Sequence, residues 1–125
     1  MARKILVIDD EEAIIIVVTA ALEVTADWKV ISTASAAAGI DLAKTLQPDA
    51  ILLDVSMPKM DGTEVFRHLQ KDAVTQQIPV IFLTAKARSS DQQSLIELGV
   101  AGIILKPFSP QTLAAKIRNI LAWKD

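Results

Sequence analysis

The 125-residue sequence predicts an α/β domain of the doubly wound kind, five parallel strands in the order 2-1-3-4-5 alternating with five helices. Three observations point there. Short unbroken apolar runs recur along the chain, as expected of strands covered on both faces. Segments of helical length and periodicity separate them. Residues able to do chemistry, Asp9-Asp10, Asp54, Thr84 and Lys106, stand immediately after four of those runs. In an open parallel sheet the carboxyl ends of the strands form the ligand crevice. The length is one ordinary domain's worth, so residues 1–125 read as a single domain.

Lys4 to Ile8 is the first strand, and Trp28 to Ile31 is a shorter second one. Ala50 to Leu53, Val80 to Leu83 and Ile103 to Leu105 supply the other three. Between the first two strands, Ile14-Ile15-Ile16-Val17-Val18 has strand propensity. A helix is nevertheless required there, because parallel strands need a right-handed crossover, and Asp10 is a plausible N-cap. Ala36, Ile40, Ala43 and Leu46 mark the second helix, which Pro48 stops. Val65, Phe66 and Leu69 mark the third after Gly62, and Leu95, Ile96 and Leu98 the fourth before Gly99. Leu113, Ile117, Ile120 and Leu121 mark the fifth, with Ser109-Pro110 expected as N-cap and first helical residue.

Hydrophobic residues make up 51% of the chain and mean hydropathy is +0.37, apolar for a small domain but consistent with a sheet buried on both sides. Net charge is -2, which gives no reason to expect nucleic acid as a direct partner. Cysteine is absent, which excludes disulfides and thiolate metal sites. The apolar stretch from Ala13 to Leu22 is about half the ~20 residues a membrane helix needs. Four acids precede it where a secretory signal would carry positive charge. The expectation is a cytoplasmic protein without membrane contact.

The adjacent carboxylates of Asp9 and Asp10 repel, and burial would force a proton onto one unless a cation is supplied. Read alone they are as well explained by an N-cap and a solvated acidic turn. With Asp54 beside them a hard divalent cation becomes the better account, since magnesium keeps several waters and needs only two or three protein oxygens. Asp54 follows Ile51-Leu52-Leu53 and is itself followed by Met57-Pro58 and Asp61-Gly62, which define a shaped turn. A carboxylate held there can attack phosphorus to give an acyl phosphate. Thr84 offers a hydroxyl, a weak signal by itself. Lys106 ends an apolar strand, so it needs an anionic partner, and its bond to Pro107 is a candidate cis peptide. Cation, lysine and hydroxyl together are the equipment for neutralising a phosphoryl group in transfer.

In these motifs, from Lys4 to about Trp123, the chain resembles the receiver domain of two-component response regulators, in particular the stand-alone chemotaxis and phosphorelay regulators. The resemblance implies a flavodoxin-like receiver fold and a phosphorylation-dependent switch that signals through protein contacts. Asp54 would accept a phosphoryl group from a histidine kinase or a histidine phosphotransfer protein. Mg2+, with Mn2+ able to substitute, would be held directly by Asp10, by Asp9 largely through water, and by Asp54 and the Ser56 carbonyl. Thr84 and Lys106 would bind the phosphoryl oxygens, with Ser56, Ala85 and Lys86 around them. Catalysis would be limited to the domain's own phosphorylation and dephosphorylation, and no effector domain is expected in this chain. A downstream protein target or separate effector domain would receive the signal.

One departure from the family pattern stands out. An aromatic residue often lies three before the lysine and changes rotamer with the threonine; here it is Ile103, and the chain has no tyrosine. Three other functions fit less well. An aspartate-nucleophile phosphohydrolase would carry Asp-x-Asp at the first strand and a cap domain. A dinucleotide-binding module needs a glycine-rich first turn. A degenerate receiver acting as a scaffold would not keep all five site residues. Finally, the receiver pattern puts Ile14, Val17 and Val18 toward the core or its margin and leaves Ile15 and Ile16 outside. That pair is the expected surface for partner docking or for homodimer formation. His68, Trp28 and Trp123 are read as ordinary surface or packing residues.

Overall fold

The computed structural model describes residues 3–57, 60–85 and 88–124. Strands β1 (Lys4–Ile8), β2 (Lys29–Thr33), β3 (Ala50–Asp54), β4 (Val80–Thr84) and β5 (Gly102–Leu105) alternate with helices α1 (Glu12–Thr25), α2 (Ala36–Leu46), α3 (Gly62–Lys71), α4 (Ser89–Ile96) and α5 (Leu113–Leu121). All strand pairs are parallel and the order is β2-β1-β3-β4-β5, as the sequence predicts.

Successive side chains of a strand point to opposite faces, so the central strands feed two cores. Leu6, Ile8, Ile51, Leu53 and Phe82 pack with Ala43 of α2, Val65, Phe66 and Leu69 of α3, and Leu95 of α4. Ile5, Val7, Leu52, Ile81 and Leu83 pack on the other face with Val18 and Leu22 of α1 and with Leu113 and Ile117 of α5. Every residue of β3 and β4 is buried, which explains why these strands are apolar up to their last residues, Asp54 and Thr84, instead of alternating.

The caps follow local chemistry. The Ser35 hydroxyl accepts the Ala38 N–H at 3.2 Å at the start of α2, and the Asp61 carboxylate accepts the Glu64 N–H at 3.1 Å at the start of α3. Gly99, at φ +104, turns the chain after α4. Gly62 is needed for space: a Cβ there would drive into the Asp54 carbonyl oxygen and lie 2.9 Å from Val55 Cα. Its absence lets α3 begin directly against the end of β3.

Three expectations change. Asp10 is not the cap of α1; Glu11 holds that position, extended and without a side-chain cap, and Asp9 takes the Glu11 N–H at 2.9 Å. Ser109 and Pro110 do not open α5. They belong to a turn in which Thr112 N–H reaches the Ser109 carbonyl at 3.2 Å, the Ser109 hydroxyl bonds the Gln111 side chain, and the helix starts at Leu113. The buried stripe of α1 also differs. Ile14, Ile15, Val18 and Leu22 recur at helical spacing and pack on the core, so Ile15 is not an outer residue. Ile16 and Val17 face outward, 59% and 36% exposed, with Val24 two turns on at 82%. Among the described residues, no helix is long and apolar enough to cross a membrane.

Candidate functional site

The carboxyl ends of β1, β3, β4 and β5 bring the chemistry-bearing residues together. Asp54 is the last residue of β3 and Thr84 the last of β4; Asp54 pairs with Leu83, one position before Thr84. The loop after β5 is tied to β4, since Lys106 N–H donates to the Thr84 carbonyl at 2.8 Å. The Lys106–Pro107 bond is cis, as the sequence suggested.

Lys106 Nζ lies 2.9 Å from Asp9 Oδ2, 3.1 Å from Glu11 Oε1 and 3.3 Å from Asp54 Oδ1. Asp9 is fully buried and the Asp54 residue is only 3% exposed, whereas Glu11 stands largely in water. One ammonium therefore faces three carboxylates, and the negative charge is in excess. Burial first, and then the neighbouring charge of Asp9, push the Asp54 carboxyl up to about 6, against the opposing pull of Lys106. For Lys106 burial works the other way, but the hydrogen bond to Asp9, the charges of Asp54 and Asp9 and the hydrogen bond to Glu11 outweigh it and raise its pKa. The second oxygen of Asp54, Oδ2, is buried without a hydrogen-bond partner. An orphaned carboxylate oxygen beside two further acids is the arrangement a hard cation would satisfy, and oxygens of Asp9, Glu11 and Asp54 lie within 4.8 Å of one another.

Not every expected residue joins this cluster. Asp10 is exposed and lines an adjoining groove of about 360 Å³ with Ala34, Ser35, Ala36, Ala37, Met57 and Met60. Ser56 is exposed and its N–H donates to Asp54 Oδ1 at 3.3 Å. Thr84 is buried at the site and Ala85 exposed beside it, while Lys86 lies outside the described residues. Ile103 pairs with Phe82 in the sheet and packs, half-buried, against the core shared with α3 and α4. Sequence reasoning passed over Glu11, which looked like one more acid of a solvated turn. Its signal was its place two residues beyond a buried strand-end aspartate.

The model of the response regulator receiver domain family matches residues 5–118. The chain belongs to this family. It is a receiver domain of two-component response regulators, and its role is phosphorylation-dependent signalling. The alkaline phosphatase synthesis transcriptional regulatory protein PhoP of Bacillus subtilis is 38% identical over 97% of this chain and 49% of its own length. The chain spans about half the length of the curated relatives it matches. The chemotaxis response regulator CheY4 of Vibrio cholerae superposes with a TM-score of 0.89 at 27% identity, covering 96% of this chain and 99% of that one. The receiver domain of sensor histidine kinase PA1611 from Pseudomonas aeruginosa superposes at 0.83 with 26% identity, each chain covered to 98%; that structure holds a magnesium ion in its active-site cleft.

Proposed function

We propose that Asp54 is the phospho-acceptor of this receiver, and that it takes its phosphoryl group from a histidine kinase or histidine phosphotransfer protein. The observation that carries the reading is the convergence on Asp54 of Lys106, Asp9 and an unsatisfied carboxylate oxygen at the carboxyl end of the sheet. A carboxylate oxygen of Asp54 attacks phosphorus, the bond from phosphorus to the donor nitrogen breaks, and an acyl phosphate forms while the imidazole leaves. Asp9, Asp54, the Ser56 carbonyl and Asp10, next in the chain to Asp9, would hold a magnesium or manganese ion; when bound, the ion offsets the charge of the phosphoryl oxygens. Lys106 and the Thr84 hydroxyl bind those oxygens, and Ser56 and Ala85 border them.

The donor is proposed to dock on the open face of α1. Ile16, Val17, Ala20 and Val24 form with Pro110 and Gln111 an apolar groove that fits the apolar face of a helix presenting a histidine. Ile15 belongs to the core side of that helix and is not part of the surface. The output passes by protein contact to a target or effector domain, within the cytoplasm.

Incubation with acetyl phosphate and magnesium should add one phosphate, read by intact mass. Labelling should vanish in Asp54→Asn and in EDTA. Undiminished labelling of Asp54→Asn would overturn the assignment.

A further inference from the structure

We infer that Glu11 is a positioning residue that holds Lys106 in the resting state and must release it before the lysine can bind a phosphoryl group. The inference rests on the reading of Asp54 as phospho-acceptor and adds a regulatory contact to it.

Glu11 reaches Lys106 from a fixed backbone. Its N–H is bonded to Asp9 Oδ1 at 2.9 Å, and its carbonyl accepts the N–H groups of Ile14 and Ile15 at 3.1 and 3.2 Å as the first acceptor of α1. The carboxylate delivered by that backbone bonds Lys106 Nζ at 3.1 Å across a sequence separation of 95 residues. The Lys106 side chain is 11% exposed and, among the described residues, its ammonium has three carboxylate neighbours, but they are not equivalent. Asp9 is fully buried and cannot lose a counter-charge without another taking its place. Asp54 is the reacting group. Glu11, 59% exposed, is rehydrated on release at little cost. Among the three described carboxylate neighbours it is the contact that can hold Lys106 at rest and let it go.

The prediction follows from competition. A phosphoryl group on Asp54 draws Lys106 toward it, and each such transfer gives up the Glu11 contact. Removing Glu11 should therefore favour the phosphoryl-bound position by roughly the worth of a part-exposed ion pair, a factor of about two to five.

The test measures the affinity of the full chain for beryllofluoride, a phosphoryl mimic, at saturating magnesium by fluorine NMR. Glu11→Gln should bind it about two- to five-fold more tightly than wild type. Glu11→Asp keeps the charge but draws the carboxylate back by about one carbon–carbon bond, ~1.5 Å, which breaks a 3.1 Å contact; it should behave like Glu11→Gln. In a Lys106→Ala background the Glu11→Gln gain should vanish. Wild-type affinity in Glu11→Asp, or a gain that persists without Lys106, would show that Glu11 acts only through the general field and would overturn the inference. Weaker binding in Glu11→Gln would make Glu11 a cation ligand and overturn it equally. Failure of wild type to bind beryllofluoride at all, or unchanged binding in Asp54→Asn, would instead refute the assignment of Asp54.

Discussion

Replacing Asp54 with asparagine should stabilise the metal-free protein, although it removes one partner of a buried lysine. The wild-type carboxyl is buried, faces the charge of Asp9 and is pushed from 3.8 up to about 6. That rise corresponds to about 3 kcal/mol between its charged and neutral forms. The native state holds the Asp54 proton more tightly than the unfolded chain does. Stability from this group is thus complete below pH 3.8 and is lost as pH rises through about 6. Asparagine imitates the neutral acid and escapes the loss, while Lys106 keeps Asp9 and Glu11. Relaxation and water entry reduce the gain, leaving about 1–3 kcal/mol at pH 7.5. Urea unfolding in EDTA at pH 7.5 and 4.5 reads it as a raised midpoint for Asp54→Asn that shrinks at the lower pH. Magnesium should raise the wild-type midpoint with little effect on the variant, since only the former offers the full set of oxygens. An Asp54→Asn protein no more stable than wild type at pH 7.5, or a gain independent of pH, would refute the electrostatic account of the site.

Gly62→Ala should cost about 1–3 kcal/mol in urea unfolding, because its Cβ meets the backbone of Asp54 and Val55, which cannot turn aside as a side chain could. Ile16→Lys should leave stability within about 0.5 kcal/mol and acetyl phosphate labelling unchanged, while slowing transfer from the histidine-bearing partner. Ile15→Arg, on the core side of the same helix, should cost about 2 kcal/mol or more. Ile103 has no ring to swing inward and no group to hydrogen-bond, so beryllofluoride should shift backbone amides most from Ala85 into the start of α4 and little around Ile103; the reverse pattern in amide-shift mapping would exclude this.

Elements defined by burial on both faces were legible in the sequence. Ile51-Leu52-Leu53 and Ile81-Phe82-Leu83 have no polar position because no position meets water. The crossover rule recovered α1 from an isoleucine–valine run whose local propensity favoured a strand. Details decided by a single side-chain contact were not legible. On paper Asp10 is the favoured cap residue, but Asp9 accepts the Glu11 N–H and the cap falls one residue later, at Glu11. Ser109-Pro110 is a sound helix start, yet the chain uses it for a turn that brings Thr112 to the helix entrance. The rotation of α1 about its axis was off by one residue, because a six-residue apolar run does not itself say which members form the buried stripe. In the site, the need of Lys106 for an anionic partner was plain, but among the described residues three carboxylates share that role. Only the fold shows that the Lys106 side chain reaches Glu11 at the entrance of α1, 95 residues away in sequence.

The most direct test of the central assignment traps the acyl phosphate chemically. The protein is labelled with acetyl phosphate and magnesium, reduced with borohydride, which converts an aspartyl phosphate to homoserine, and digested for peptide mass spectrometry. Homoserine should be found at position 54 and at no other aspartate, and only when magnesium is present. Conversion of Asp9 or Asp10 instead, or magnesium-dependent labelling with residue 54 still aspartate, would contradict the account.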